Sequence, residues 1–158
     1  MKTLLVLMVW LFPLLARAQD TAAELDGFWT SAARTVAEGD FDSYAATYHP
    51  DAVLVSLESG NSYPIAGALA GWRQGFDDTK AGKATAGVEF RFSQRLRDAS
   101  TAHYTGIFHY WFAPKDGERT DSYVHFEGLL IKKTGEWKMV MEYQKQPATA
   151  QEWAAAEG

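Results

Sequence analysis

The fold is decided by four segments: VEFRFSQRL at 88–96, TAHYTGIFHYWF at 101–112, TDSYVHFEGLLIK at 120–132 and EWKMVMEYQK at 136–145. Apolar and polar residues alternate along each of them, and aromatic and β-branched residues are frequent, as in half-buried strands. The connections are short and carry turn-forming residues. Because such short connections join antiparallel neighbours, the sequence predicts a four-stranded antiparallel meander.

Helices and a hairpin are predicted upstream of the meander. Thr21 and Glu24 have capping-box spacing, and one apolar stripe of a helix follows: Leu25, Phe28, Trp29, Ala32, Ala33 and Val36. Asp40 can cap a second, shorter helix. The pattern further predicts a strand, an edge strand and a third helix, at 52–57, 62–66 and about 68–77. This order predicts an α+β fold in which a strongly curved antiparallel sheet wraps around three N-terminal helices.

The first residues have the features of a cleavable signal peptide. A positively charged start is followed by an apolar run at 4–15 and by Ala16-Arg17-Ala18, which places small residues where a signal peptidase cuts. The run is shorter than the roughly 20 residues that cross a bilayer. We therefore expect a signal peptide at 1–18, cleavage near Ala18, and one domain at 19–158 that is secreted or periplasmic.

Composition excludes several classes of function. The chain has no cysteine, which rules out disulfides, thiolate metal sites and cysteine nucleophiles. Its net charge of −5 argues against nucleic acid or an anionic membrane as a partner, because both attract basic patches. No dinucleotide or phosphate-loop motif is present, and we expect no cofactor. Six Trp, seven Tyr and nine Phe predict a heavily aromatic core or an aromatic pocket.

The order of elements resembles the nuclear-transport-factor-2-like superfamily, whose nearest branches are the SnoaL-like polyketide cyclases, the ketosteroid isomerases and secreted relatives. The resemblance is carried by Gly39-Asp40-Phe41, Tyr48-His49-Pro50-Asp51-Ala52-Val53, Ile65-Ala66-Gly67 and Thr134-Gly135-Glu136-Trp137-Lys138-Met139-Val140. It extends over essentially all of 19–158. It implies a cone-shaped domain with a funnel-shaped pocket and, commonly, a homodimer. It does not imply a reaction, since unrelated functions share this scaffold.

The isomerase branch can be compared residue by residue. Its general-base Asp falls on Ser56, its oxyanion-hole Tyr on Ala32, and its second oxyanion carboxylate on Glu127. A serine cannot replace that base, and an alanine cannot donate a hydrogen bond to an enolate. The resemblance therefore argues against ketosteroid isomerase activity, while Glu127 keeps a carboxylate.

The predicted strands have two chemically different faces. The even positions are mostly aromatic and aliphatic: Phe90, Phe92, Tyr104, Phe108, Tyr110, Phe112, Val124, Phe126 and Leu130. The odd positions mix polar and apolar residues: Glu89, Arg91, His103, Ile107, His109, Trp111, Tyr123, His125, Glu127, Leu129 and Ile131. Alternation alone places the mixed face in water, whereas the isomerase register directs it, with Val140 and Glu142, into the cavity. A bulge would reverse either assignment, so both stay open.

If the mixed face lines the pocket, His109, His125 and Glu127 can converge as an acid/base unit, in which the carboxylate orients an imidazole. Two histidines and a carboxylate can also hold a metal, but the spacing is not that of a metal motif and we predict no metal. The side chains expected to bind a ligand are Trp29, Tyr48, Trp111 and Glu142.

Two functions follow from these patterns. One is a secreted SnoaL-like domain whose pocket binds a small apolar or aromatic molecule, with or without isomerase, cyclase or hydrolase-like chemistry. The other is a non-catalytic module that dimerises or carries a ligand. Whether the protein is an enzyme stays open at this point. We expect a homodimer in either case, because the apolar even-numbered face of the long strands is larger than three short helices can cover, and a monomer would leave the rest exposed.

Overall fold

The structure, a computed structural model, describes residues 12–156. Within them the chain forms these elements in order: α1 (Phe12–Glu38), α2 (Phe41–Ala45), β1 (Tyr48–Ser56), β2 (Asn61–Pro64), α3 (Ile65–Lys80), β3 (Ala84–Arg97), β4 (Thr101–Pro114), β5 (Thr120–Lys133), β6 (Glu136–Pro147) and α4 (Ala150–Ala155). The predicted α+β fold is confirmed, and the four meander strands lie where the alternation places them.

All six strands form one curved sheet in the order β2-β1-β6-β5-β4-β3. The neighbours are antiparallel except β1 and β6, which run parallel and pair Leu54 with Glu142. The sheet is therefore mixed, which corrects the expectation of a wholly antiparallel one. β2 lies at the edge and ends at Pro64, as expected for a strand that contains a residue without an N–H.

The helices α1 and α3 cover one face of the sheet, which we call the inner face. The α1 stripe buries Leu25 and Trp29 against Tyr104, Phe126 and other side chains of the sheet. Each large side chain buried in this way contributes roughly 1.5–3 kcal/mol to folding. The predicted stripe of α1 thus forms the core and fixes the helix over the sheet.

The boundary of α1 differs from the prediction. The helix extends back to Phe12, so Thr21 and Glu24 lie inside it. The Glu24 carboxylate accepts hydrogen bonds from Lys132 and from the Trp137 indole, and it ties the helix to the last hairpin. The capping-box spacing therefore marks a contact between α1 and the sheet instead of a helix start.

Most of the predicted signal peptide at 1–18 lies outside the described residues. Cleavage near Ala18, the domain at 19–158 and export all stay predictions. Of the helices that the structure describes, none is long and apolar enough to cross a membrane.

The last described element is a short helix on the opposite, outer face of the sheet. Thr149 and Glu152 form a capping box that opens α4. Trp153 is buried, and Arg91 of β3 lies over its ring with the guanidinium carbon 4.3 Å from the ring centroid. This last helix is thus capped at its start and packed on the outer face of the sheet.

Candidate functional site

A cavity of about 690 Å³ lies between the inner face of the sheet and the helices. Its sheet wall consists of even-numbered side chains from β3, β4 and β5: Val88, Phe90, Phe108, Tyr110, Phe112, Ser122, Val124 and Phe126. Helices α1, α2 and α3 supply the opposite wall, with Trp29, Tyr44, Trp72 and Phe76 among its residues. The aromatic richness of the sequence is therefore shared between the core and a pocket.

A bulge in β6 decides which side chains of that strand reach the cavity. Leu130 pairs with Met139, but the next pair joins Leu129 to Met141, so Val140 is the extra residue. Before the bulge the odd residue Met139 faces the cavity, and after it the even residues Glu142 and Gln144 do so. A one-residue bulge exchanges the two faces of a strand, and this one places Glu142 in the cavity.

Glu142 is the centre of a buried polar group that we call the Glu142 cluster, formed by Glu142, Tyr48, Tyr44 and Gln144. The Tyr48 hydroxyl donates to Glu142 Oε2 at 2.5 Å, and Gln144 Nε2 donates to Glu142 Oε1 at 2.7 Å. The Tyr44 hydroxyl lies 3.2 Å from that of Tyr48. The carboxyl is thus held in a fixed orientation by one donor on each oxygen.

Burial controls the proton affinity of this cluster. Desolvation raises the pKa of Glu142 above its ordinary value of 4.5, and the hydrogen bonds from Tyr48 and Gln144 oppose the rise. Burial, followed by the nearby Glu142 charge, raises the pKa of Tyr48 well above 10. Tyr48 therefore keeps its proton and acts as a donor, whereas burial makes Glu142 hold its proton more strongly than a carboxyl group in water does.

The charged side chains of the described cavity lining are acidic. Among the described residues that line the cavity, Glu142 and Asp78 are the acids, and none is Lys, Arg or His. The Asp78 carboxylate accepts from Gln74 and lies 3.8 Å from Lys83, so its charge is partly offset. Glu142 receives hydrogen bonds from neutral groups alone.

The structure places His109, His125, Glu127 and Trp111 on the outer face. Of the two orientations that the sequence left open for them and for Ile107, it therefore has the one that points away from the cavity. The physical reason is strand parity. The even side chains of β4 and β5 pack inward against the helices, which turns their odd neighbours outward. Of the residues that the isomerase register directs inward, Glu142 reaches the cavity, because of the β6 bulge.

Each of the three predicted acid/base residues has its own partner. His109 Nε2 lies 2.7 Å from Asp121 Oδ1, and its ring stacks on Tyr123. His125 Nε2 lies 3.3 Å from Glu152 of α4. These contacts join β4 to β5 and β5 to α4, which is a structural use of histidine.

Glu127, the third member of the predicted trio, pairs with different residues again. It contacts His103 at 3.1 Å and forms an ion pair with Lys145. The hydrogen bond from Lys145, followed by that from His103, lowers the pKa of Glu127. The side chains do not form one shared site, and a catalytic role for them stays a prediction that the cavity does not support.

The predicted ligand-binding residues divide in the same way. Trp29, Tyr48 and Glu142 line the cavity. Trp111 lies on the outer face, where its ring packs across Gly87 and leaves no room for a Cβ there. The guanidinium carbon of Arg119 lies 5.2 Å from the centroid of the Trp111 ring. Binding by the three lining residues stays a prediction, now with a cavity to bind in.

Sequence reasoning missed Tyr44 and Gln144. Tyr44 was visible as part of an apolar helix stripe, and Gln144 as the residue two positions after Glu142 on the same strand face. No local signal connects them, because α2 and β6 are far apart in sequence. Over the described part of the chain, no three His, Asp or Glu side chains are grouped so that they could hold a metal ion.

The chain is similar to known proteins in family and in fold. A family model described as a SnoaL-like domain matches residues 27–144. No curated protein matches the chain.

Solved structures match over most of their length. A conserved protein from Planctomyces limnophilus DSM 3776 has a TM-score of 0.69 at 12% identity, with 82% of this chain and 99% of that chain covered. A ketosteroid isomerase-like protein from Erwinia carotovora atroseptica SCRI1043 has a TM-score of 0.58 at 15% identity, with 80% and 95% covered. At such identities the likeness is one of fold.

Proposed function

We propose that the cavity of this chain, which belongs to the SnoaL-like domain family, binds a small, largely apolar molecule. In this proposal Glu142 and Tyr48 hold one polar group of that molecule. The observation that carries the proposal is the buried Glu142 cluster at the wall of an aromatic cavity of about 690 Å³. Pockets for small molecules are typically roughly 300–1,000 Å³, mostly apolar, with a few convergent polar groups.

Acid/base chemistry at Glu142 is the catalytic form of this proposal. Because burial raises its pKa, Glu142 holds a proton more strongly than a carboxyl group in water does, and a buried carboxyl that exchanges a proton with a bound molecule can act as a general acid or base. Tyr48 supplies a fixed hydrogen bond to Glu142 Oε2. Isomerase, cyclase and hydrolase-like steps all need such a group, and the cavity favours none of them by geometry.

Steroid isomerisation is not part of the proposal. Ala32 lines the cavity at the position where the isomerase register requires an oxyanion-hole tyrosine. Ser56, which falls at the position of the general base, is not among the lining residues. The fold neighbour described as ketosteroid isomerase-like therefore supports the scaffold and not the reaction.

A second candidate is a ligand carrier without catalysis. Besides tyrosines, the ionisable side chains of the described lining are Glu142 and Asp78, and Asp78 is engaged with Gln74 and Lys83. A carrier needs a shaped apolar cavity and one orienting polar group, which the Glu142 cluster provides. Turnover, as opposed to binding, separates the two candidates.

The experiment is a binding titration with N-phenylnaphthylamine, a neutral dye whose fluorescence rises in apolar surroundings. We expect saturable enhancement with the wild-type protein and its loss in Val124→Trp, which fills the cavity. Val55→Trp is the matched control, since Val55 lies on β1 outside the cavity lining. Equal enhancement by both variants, or none with the wild-type protein, would refute a ligand cavity.

A further inference from the structure

We propose that the molecule bound in the cavity is an organic cation, an amine or quaternary ammonium group on an apolar body, whose charge pairs with Glu142. The inference rests on the proposed function, because it names the class of molecule that the same cavity takes. It is carried by the charge of the lining, by the partners of Glu142 and by the rings beside it.

The first argument is the missing counter-charge of Glu142. Its side chain is 7% exposed and receives hydrogen bonds from Tyr48 and Gln144, which are both neutral. No Lys, Arg or His is among the described residues that line the cavity. A buried carboxylate without a cation is costly, and a ligand that brings the positive charge removes that cost.

The second argument is the presence of aromatic rings beside the Glu142 cluster. We call these rings the aromatic wall; they belong to Tyr44, Trp72 and Phe76. The Tyr44 centroid lies 5.7 Å from that of Tyr48, 6.2 Å from that of Trp72 and 5.0 Å from that of Phe76. All four rings line the cavity. Aromatic faces attract cations that have left water, and they do so for ammonium groups in particular.

The third argument excludes an anion. With Glu142 and Asp78 as the charged groups of the described lining, an anionic ligand would meet repulsion and find no partner. A neutral ligand stays compatible with the cavity, provided that Glu142 keeps its proton. The two surviving classes therefore differ in what happens to the Glu142 proton on binding.

A permanent cation should displace that proton. Burial raises the pKa of Glu142, and a bound cation lowers it again, so at a pH between the pKa of the free protein and that of the complex a proton leaves as the cation enters. The ionisable groups that face Glu142 are Tyr48 from β1 and Tyr44 from α2, and burial raises the pKa of each further above 10. Asp78 of α3 also lines the cavity. Because Asp78 is a second possible source of the released proton, the Glu142→Gln variant is needed to assign that proton to Glu142.

The test compares three ligands of one shape by isothermal titration calorimetry near neutral pH: adamantylamine, adamantanol and adamantanecarboxylate. We expect the amine to bind at least about tenfold more tightly than the alcohol, as one added charge-assisted hydrogen bond would give, and the carboxylate to bind most weakly. Binding of benzyltrimethylammonium, which has no proton of its own to lose, should release the proton of Glu142. Over a series of pH values this release is detected as a binding enthalpy that depends on the ionisation enthalpy of the buffer.

Glu142→Gln should abolish both the preference for the amine and the proton release. Glu127→Gln is the matched control, because Glu127 lies on the outer face with Lys145 and His103 as partners, and it should change neither. Should Glu142→Gln fail to fold, the ligand series and the proton release in the wild-type protein still decide the question.

The outcomes separate this inference from the function on which it rests. An alcohol that binds as tightly as the amine, or an amine that does not bind while N-phenylnaphthylamine does, overturns the inference and leaves the apolar cavity in place. Failure of the amine and of the neutral dye together overturns both. A preference for the amine that survives in Glu142→Gln assigns the cation to another group and also overturns the inference.

Discussion

Glu142 and Glu127 show how two carboxylates fifteen positions apart in one sheet acquire opposite chemistry. Glu142 is buried and accepts hydrogen bonds from two neutral donors, and burial raises its pKa. Glu127 is held by Lys145 and His103, which lower its pKa. A sequence presents both as a glutamate on a β-strand, and the difference comes from side chains contributed by other elements.

Glu142 should make stability depend on pH. Because its folded-state pKa is raised, its contribution is most favourable below the unfolded value of about 4.5 and is lost as the pH rises through the folded-state pKa. Glu142→Gln removes the charge and keeps an acceptor for Tyr48. We expect this variant to be more stable than the wild-type protein near pH 7 by on the order of 1 kcal/mol, with a smaller difference near pH 4.

The measurement is urea unfolding of both proteins at the two pH values. Gln144 and Tyr48 remain in place in the variant, so a change in stability reports the carboxylate charge. The contrary outcome concerns the unfolding free energy of the variant minus that of the wild-type protein. If this difference is lower near pH 7 than near pH 4, the fold favours the ionised form of Glu142.

At the scale of elements, local pattern predicted the meander well and its inner face poorly. Strands β3 to β6 were visible because alternation and turn residues are local properties. Which face of the sheet is buried depends on where the stripe of α1 packs, and this is a contact between distant segments. For this reason the sequence left open whether the polar face of β4 and β5 lines the cavity, and the structure places that face outside it.

The bulge at Val140 was beyond prediction for a related reason. A strand pattern such as WKMVMEY alternates equally well in either register. The extra residue appears only when the strand pairs with β5, where Leu130 and Leu129 face Met139 and Met141. The sequence could therefore place Glu142 on a strand and suggest that its side chain enters a cavity. It could not show that a bulge is what turns Glu142 toward that cavity.

The terminal helix α4 should depend on one side chain. Six residues are too few to be helical on their own, and Trp153 is the buried residue that docks the helix against His109, Tyr123 and Arg91. Trp153→Ala should lower the unfolding free energy by roughly 3 kcal/mol and remove amide-exchange protection over 150–155. Dye binding should persist, because α4 lies on the outer face.

Gln151→Ala is the control for that experiment, since Gln151 is exposed on the same helix and its loss should change stability by less than about 0.5 kcal/mol. Hydrogen exchange and thermal melting of the two variants provide the comparison. Retained protection of α4 in Trp153→Ala would show that the helix is held by other contacts.

At the scale of the whole molecule, the N-terminal segment predicts export. An apolar run followed by Ala16-Arg17-Ala18 should be cleaved, so that the exported protein begins at Gln19. N-terminal sequencing of protein recovered outside the cytoplasm tests this. Ala18→Tyr places a large side chain at the cleavage position and should block processing, whereas Ala22→Tyr, which lies beyond that site, should not. Exported protein that still begins at Met1 would contradict the prediction.

A homodimer is the second prediction at this scale, and its basis differs from the one that the sequence suggested. The apolar even-numbered face was expected to be left uncovered, but it lines the cavity and packs against the helices. The outer face instead presents half-buried Leu129, Met141 and Tyr143 on neighbouring strands β5 and β6. A sheet face that carries such half-buried apolar side chains is suited to a standard interface, which buries about 800 Å² on each partner.

Sedimentation equilibrium at micromolar protein should therefore give a particle of two chains, each of 17.6 kDa before any cleavage. Leu129→Arg places a charge in the centre of the outer face, where pairing with a second copy would bury it, so the particle should become a single chain. Leu57→Arg is the matched control: Leu57 is 53% exposed after the end of β1, and the dimer should survive its replacement. A wild-type particle of one chain would refute the dimer. A dimer that survives Leu129→Arg would place the interface elsewhere, because an arginine on an exposed strand face can extend its charged end into water but cannot do so beneath a partner.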